Sequence, residues 1–166
     1  ADSTQNILWR LHNGELDGVH PKIIVLLAGT NNLGGRIPAG SEDVWAAHVT
    51  KGLKAIVEAM QAKAPEAVLV LMGIFPRNDN TALKPIINKI NAGLEQYADG
   101  SKIRYLNIND RLADGEGRLF DEMTTDGLHL SVNGYQVWAD ALKPIFWELL
   151  GPPSKQDHAP PATGDP

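Results

Sequence analysis

The sequence predicts an α/β layered fold in which parallel strands are covered by helices. Two observations carry that expectation. Segments with helical spacing of apolar residues alternate with short runs that read as strands. Two of the strand runs, residues 22–28 (KIIVLLA) and 67–74 (AVLVLMGI), are apolar at successive positions, which suits strands buried on both faces. At 166 residues the chain fits one domain, placed at 1–150, with a Pro-rich polar tail at 151–166 that reads as flexible.

Each element has its own warrant. Residues 3–12 put Ile7, Leu8 and Leu11 on one helical face, and Asn13-Gly14 is a stop signal. The strand 22–28 ends in Gly29-Thr30-Asn31-Asn32, and a Gly/Pro-rich loop leads on to Gly40. Ser41 reads as the N-cap of a helix to about Lys63, with Val44, Ala47, His48, Leu53, Ile56, Val57 and Met60 near one stripe. The strand 67–74 is closed by Pro76. Residues 81–98 form a helix with Leu83, Ile86, Ile87, Ile90 and Leu94 at helical spacing, and Pro85 falls in its tolerant first turn. A third strand, 103–108 (IRYLNI), leads into a long Gly- and Asp-rich connection over 109–126. The last helix starts near Ser131 and runs to Leu150, with a kink expected at Pro144. Trp9, Trp45, Trp138 and Trp147 fall on helices and read as packing anchors.

Bulk composition removes several classes of function. The net charge is −5 and no Lys/Arg run stands out, so a nucleic-acid footprint is not expected. With no cysteine, the chain has no disulfide, no thiolate zinc site and no cysteine nucleophile. His12, His20, His48 and His158 form no spaced set with carboxylates, so no metal site is predicted. No stretch approaches the ~20 apolar residues of a membrane-spanning helix.

Two short motifs bear chemistry. Thr30-Asn31-Asn32 stands at the carboxyl end of a buried parallel strand, the edge at which ligands bind in open α/β sheets. An Asn amide there either donates to a developing oxyanion or caps a loop. Asp126-Gly127-Leu128-His129 precedes Ser131 and the last helix. A carboxylate three residues before a histidine can meet its Nδ1, set the tautomer and leave Nε2 free as a base; a capping Asp beside a surface His is the plainer alternative.

The two motifs in this order resemble the third and fifth blocks of the SGNH/GDSL hydrolases. Gly29-Thr30-Asn31-Asn32 is similar to the GxND block, with Asn32 where Asp is usual. Asp126 and His129, with Leu130-Ser131 and Gly134-Tyr135 after them, are similar to the fifth block. The segment from Asp2 to Leu11, with Asn13-Gly14-Glu15-Leu16, resembles the stretch just past the second block in relatives of the platelet-activating-factor acetylhydrolase catalytic subunits. The resemblance implies a three-layer α/β/α, flavodoxin-like fold and hydrolysis of a small acyl ester, most plainly acetyl, with no cofactor. It makes His129 the general base, Asp126 its orienting partner and Asn31 an oxyanion donor. Ala1 falls at the second-block glycine, whose backbone N–H is another donor, and Thr30, Asn32 and Leu128 would line the acyl pocket.

By the same resemblance the nucleophilic serine belongs to a block on the family's first strand, upstream of Ala1. Ser3 comes after Asp2 as in that block, but no apolar strand leads into it, and it reads as a helix cap. The chain is therefore expected to lack the first two of the family's five strands, leaving 22–28 as an apolar edge that invites a partner strand, from a complementing chain or a homo-oligomer. The rival from another class is a non-catalytic carbohydrate- or lipid-binding domain that retains the fold. Arg77 and Asp79, after the second strand, also face the ligand edge.

Overall fold

The computed structural model describes residues 2–35 and 37–154. Helix α1 (Thr4–His12) leads to strand β1 (Ile23–Leu26), and a 3-10 turn over Thr30–Leu33 precedes α2 (Glu42–Lys63). Then come β2 (Val68–Met72), α3 (Lys84–Tyr97), β3 (Ile103–Leu106), the short α4 (Asn109–Leu112) and α5 (Val132–Leu150). The strands form one parallel sheet in the order β1-β2-β3, with Ile23 opposite Val68 and Leu69 opposite Ile103.

Alternation along β2 explains why it reads as a continuous apolar run. Leu69 and Leu71 point to a core shared with Leu11 of α1, Leu53 and Ile56 of α2, and Ile86, Ile90 and Leu94 of α3. Val70 and Met72 point the other way, to Ile108, Leu112, Leu119, Leu130 and Ala141. Both faces are covered, so both must be apolar. This is the three-layer arrangement the sequence predicts. Strand β1 has one neighbour among the described residues, and of its four residues only Leu26 is buried.

Local expectations for α2, for the Ser41 hydroxyl and for two tryptophans are corrected. Helix α2 buries Ala46, Val49, Leu53, Ile56, Val57 and Met60, whereas Val44, Ala47 and His48 face solvent. Val44, Trp45, Ala46 and Ala47 are four successive apolar residues, so periodicity alone could not choose the inner face there. Close approach decides it: a Cβ at Gly52 would lie 2.8 Å from Thr4 Oγ1, so α1 packs on that side of α2. Ser41 does stand at the N-cap position of α2, its carbonyl accepting from Trp45 N at 3.0 Å, but its hydroxyl donates to Pro38 O at 2.6 Å instead of accepting from a helix N–H as expected. Trp9 and Trp147 are 67% and 55% exposed, so neither anchors a core. Helix α5 passes unbroken through Pro144, which sits on its exposed side, where water can serve the carbonyl that loses its donor. It ends at Leu150, and the tail from residue 155, with His158, lies outside the described residues.

The chain after β2 is held by two asparagines. Buried Asn91 of α3 accepts from Ile74 N at 2.8 Å and donates to Ile74 O at 3.0 Å. Asn109 Nδ2 donates to the same carbonyl at 3.0 Å. A backbone leaving a sheet loses its ladder partners, and these amides replace them. They fix where Phe75-Pro76-Arg77 emerges at the carboxyl edge of the sheet.

Candidate active site

The first candidate motif comes directly after β1. Gly29 has φ +110°, and a Cβ there would lie 2.8 Å from Ile74 Cδ1 and 3.2 Å from Val49 Cγ1. Only glycine allows the chain to turn so close to the core. The turn presents Thr30 and Asn31 at the sheet edge. Asn31 Nδ2 donates to Asp2 O at 3.0 Å. Asn32 turns the opposite way: its Oδ1 accepts from Thr4 N at 3.0 Å, and its Nδ2 donates to Thr4 Oγ1 and Gln5 Oε1. The two neighbouring asparagines thus have separate surroundings.

The second motif is a closed loop ahead of α5. Thr124 pairs with Leu130 in an isolated antiparallel bridge, and Thr124 Oγ1 donates to His129 O while accepting from Gly127 N. Ser131 starts α5 as expected, its Oγ accepting from Gly134 N at 3.2 Å. Inside the loop, Asp126 Oδ1 accepts from the backbone N–H of Leu128 and His129, at 2.9 and 2.8 Å. Its Oδ2 lies 2.7 Å from His129 Nδ1.

That geometry sets the proton inventory. The His129 ring, then the two backbone donors, hold the Asp126 carboxyl well below the usual carboxylate range. An ionised carboxylate only accepts, so the proton of the 2.7 Å contact belongs to Nδ1. Nε2 of the neutral ring then carries the free lone pair. The imidazole is 70% exposed, open to a group approaching from outside.

Thr30, Asn31, Leu128 and His129 border one cavity of about 420 Å3. Asp126 sits behind His129, away from the lining, and Asn32 is turned toward α1. Ala1 lies outside the described residues. The cavity wall also holds Tyr135, from the segment similar to the fifth block, and two residues the motifs did not reveal, Phe75 and Trp138. Tyr135 stacks on Trp138, with ring centroids 6.1 Å apart, and Phe75 meets Trp138 edge-on at 5.3 Å. Their spacing on α5 carried a signal, since Tyr135 and Trp138 are i and i+3 in the helix that the His129 loop opens. A larger cavity, about 670 Å3, lies on the far side of Arg77 among Lys84, Asp110, Asp114 and Arg118, and reaches neither His129 nor Asn31. Volume is a weaker guide than an oriented base, so the smaller cavity is the candidate site. Among the described residues no group of three or more His, Asp or Glu could hold a metal ion.

A model of the GDSL-like lipase/acylhydrolase family matches residues 1–137. Bovine platelet-activating factor acetylhydrolase IB subunit alpha1 is 34% identical over 162 residues, 96% of this chain and 66% of that protein. The human subunit is 33% identical over 152 residues, 90% of this chain and 62% of that protein. A GDSL-like lipase from Bacteroides thetaiotaomicron superposes with a TM-score of 0.71 at 22% identity, covering 90% of this chain and 73% of that one. The chain belongs to the GDSL-like lipase/acylhydrolase family. It spans just under two thirds of the length of these mammalian relatives.

Proposed function

We propose that this chain carries the base and the oxyanion side of a serine-type carboxylic ester hydrolase. The observation that carries the reading is the pairing of His129: Asp126 occupies Nδ1, which leaves Nε2 as the free nitrogen of a ring lining the cavity that Asn31 also borders. In the reaction, Nε2 takes the proton of a serine hydroxyl as its oxygen attacks the ester carbonyl. The Asp126 carboxylate stabilises the resulting imidazolium. Asn31 Nδ2, now on Asp2 O, donates to the tetrahedral oxyanion, with the backbone N–H of residue 1 as a second donor. The imidazolium returns its proton to the leaving alcohol, and the neutral ring then activates water to release the acid. Every step is proton transfer and acyl exchange, so no cofactor enters.

The substrate in this reading is a small acyl ester, acetyl being the acyl group named in the mammalian relatives. Thr30 and Leu128 lie on the cavity wall where a short acyl chain would fit. Asn32 supports the pocket from behind through Thr4 and Gln5. The nucleophile belongs to sequence ahead of Ala1. Ser3 does not supply it: its hydroxyl donates to Asn6 Oδ1 at 2.7 Å at the start of α1, and no described serine borders the cavity.

Hydrolysis of p-nitrophenyl acetate tests the assignment, in this chain and in a form extended upstream by a segment bearing the family's serine block. The extended form should hydrolyse the ester, and His129→Ala should reduce the rate by ~100- to 10,000-fold. Activity that survives His129→Ala would sink the mechanism. An extended form that stays inert would favour a binding domain that keeps the fold.

A further inference from the structure

The two candidate loops are joined by a third. Between β2 and α3 the chain runs through Arg77, Asn78 and Asp79, and these residues make contact with both loops of the site. Arg77 is 9% exposed. Its Nε and Nη2 donate to the two carboxylate oxygens of Asp79 at 2.6 and 2.5 Å. Its Nη1 reaches Thr30 Oγ1 at 3.3 Å and lies within 3.5 Å of Thr30 O. On the other side Asn78 N donates to Gly127 O at 2.6 Å, with Asp79 N at 3.4 Å from the same carbonyl. Asn78 also exchanges two side-chain bonds with the backbone of Leu119, at 2.9 and 3.0 Å.

We propose that Arg77 is a positioning residue: through Asp79 and Asn78 it holds the Asn31 turn and the His129 loop at one fixed relative placement. The inference builds on the ester-hydrolase reading, because only that chemistry needs an amide donor and a base aimed at the same carbonyl. Three features single out Arg77. Its guanidinium is committed to carboxylate, hydroxyl and carbonyl partners through Nε and both terminal nitrogens, and Arg77 does not line the candidate cavity. Its planar fork sets the direction of Nη1 toward Thr30 once Asp79 is gripped, which a lysine could not do. And Gly127, between the carboxylate and the base, has φ +82°, with a Cβ there only 3.1 Å from Asp79 N and 3.3 Å from Asn78 Cβ. The strap lies against the Asp126–His129 loop closely enough that a side chain at 127 would push the Asn78–Asp79 backbone away. The Arg77 bond also holds the Asp79 carboxyl below its ordinary range, so the clamp stays charged in mild acid.

The test compares Arg77→Ala, Arg77→Lys and Asp79→Asn by ester kinetics in the extended form and by NMR of the Asn31 side-chain amide and the Gly127 backbone amide. A misplacement near 1 Å lowers turnover by ~100-fold, so Arg77→Ala should lose about that much kcat with KM little changed. Arg77→Lys should recover only part of it. Both amide resonances should move in every variant, while resonances of α3 stay in place. Wild-type kcat together with unmoved Asn31 and Gly127 resonances would overturn the proposal, as would a loss of kcat matched by the loss of folded protein. If Arg77→Ala does not fold, Arg77→Lys decides by the same criteria. If the ester assay is blank, or activity survives His129→Ala, the hydrolase reading fails by itself and the two resonances alone decide whether Arg77 couples the loops.

Discussion

Replacing Asn91 with alanine should be among the most damaging single changes to this fold, although the residue touches neither motif. Its amide makes both bonds to the Ile74 peptide, at 2.8 and 3.0 Å, in a fully packed setting. Without it the Ile74 N–H is left buried with no partner, a loss of ~1–3 kcal/mol. The Ile74 carbonyl keeps Asn109 Nδ2, so its share is only ~0.5–1.5 kcal/mol. Together the expected loss is about 2–4 kcal/mol. Asn109→Ala is the internal control: it takes one donor from a carbonyl that retains Asn91 and should lose only ~0.5–1.5 kcal/mol there. Urea unfolding followed by circular dichroism separates the two. With a slope of ~1–3 kcal/mol/M, Asn91→Ala should lower the midpoint by ~1–2 M at unchanged slope. Equal shifts for the two variants, or a shift for Asn91→Ala within error of zero, would refute the argument that an orphaned peptide N–H is what matters. Since Phe75 and Pro76 come directly after Ile74 and line the cavity, the variant should also loosen the site.

The same geometry predicts three further outcomes. The Asp126 carboxyl, monitored by 13C NMR, should titrate below its ordinary value; in His129→Ala it should move up part of the way, because the backbone donors of Leu128 and residue 129 remain. A depressed folded value means that the pair's contribution to stability is present above the ordinary carboxylate range and fades as pH falls through the depressed one. Gly127→Ala should destabilise by ~1–2 kcal/mol for the left-handed backbone alone, with additional loss from the contact on Asp79 N, and should lower ester turnover along with melting temperature. Glu148→Ala, which removes the two-pronged contact with Arg104 on the outer face of α5, should leave the urea midpoint within error of wild type, since Glu148 is mostly in water.

Legibility divided along physical lines. Strand β2 and helix α3 were plain in the sequence because β2 is covered by core on both faces and α3 along one, and a covered face must be apolar at the period of its own geometry. Leu83, Ile86, Ile87, Ile90 and Leu94 are all buried as their spacing required. The first turns of α2 were not plain, because four apolar residues in a row leave the inward face to be decided by which neighbour comes close, here Thr4 against Gly52. In the candidate site, Asp126 and His129 lie three residues apart, so the loop brings them together at short range.

What the sequence determined by itself is therefore what chain connectivity can enforce over a few residues: the alternation of strand and helix, the glycine turn after β1, and the carboxylate at Nδ1 of His129. What only the tertiary structure decided is everything that joins distant segments. Asn31 and Asn32 are neighbours of the same type, yet one borders the cavity and the other bonds Thr4 and Gln5, a division no local pattern contains. Arg77 stands 47 residues from Thr30 and reaches it only because β1 and β2 pair in parallel and release their loops at the same edge. Long-range bonds of that kind leave no period in the sequence, since either partner would look the same without the other.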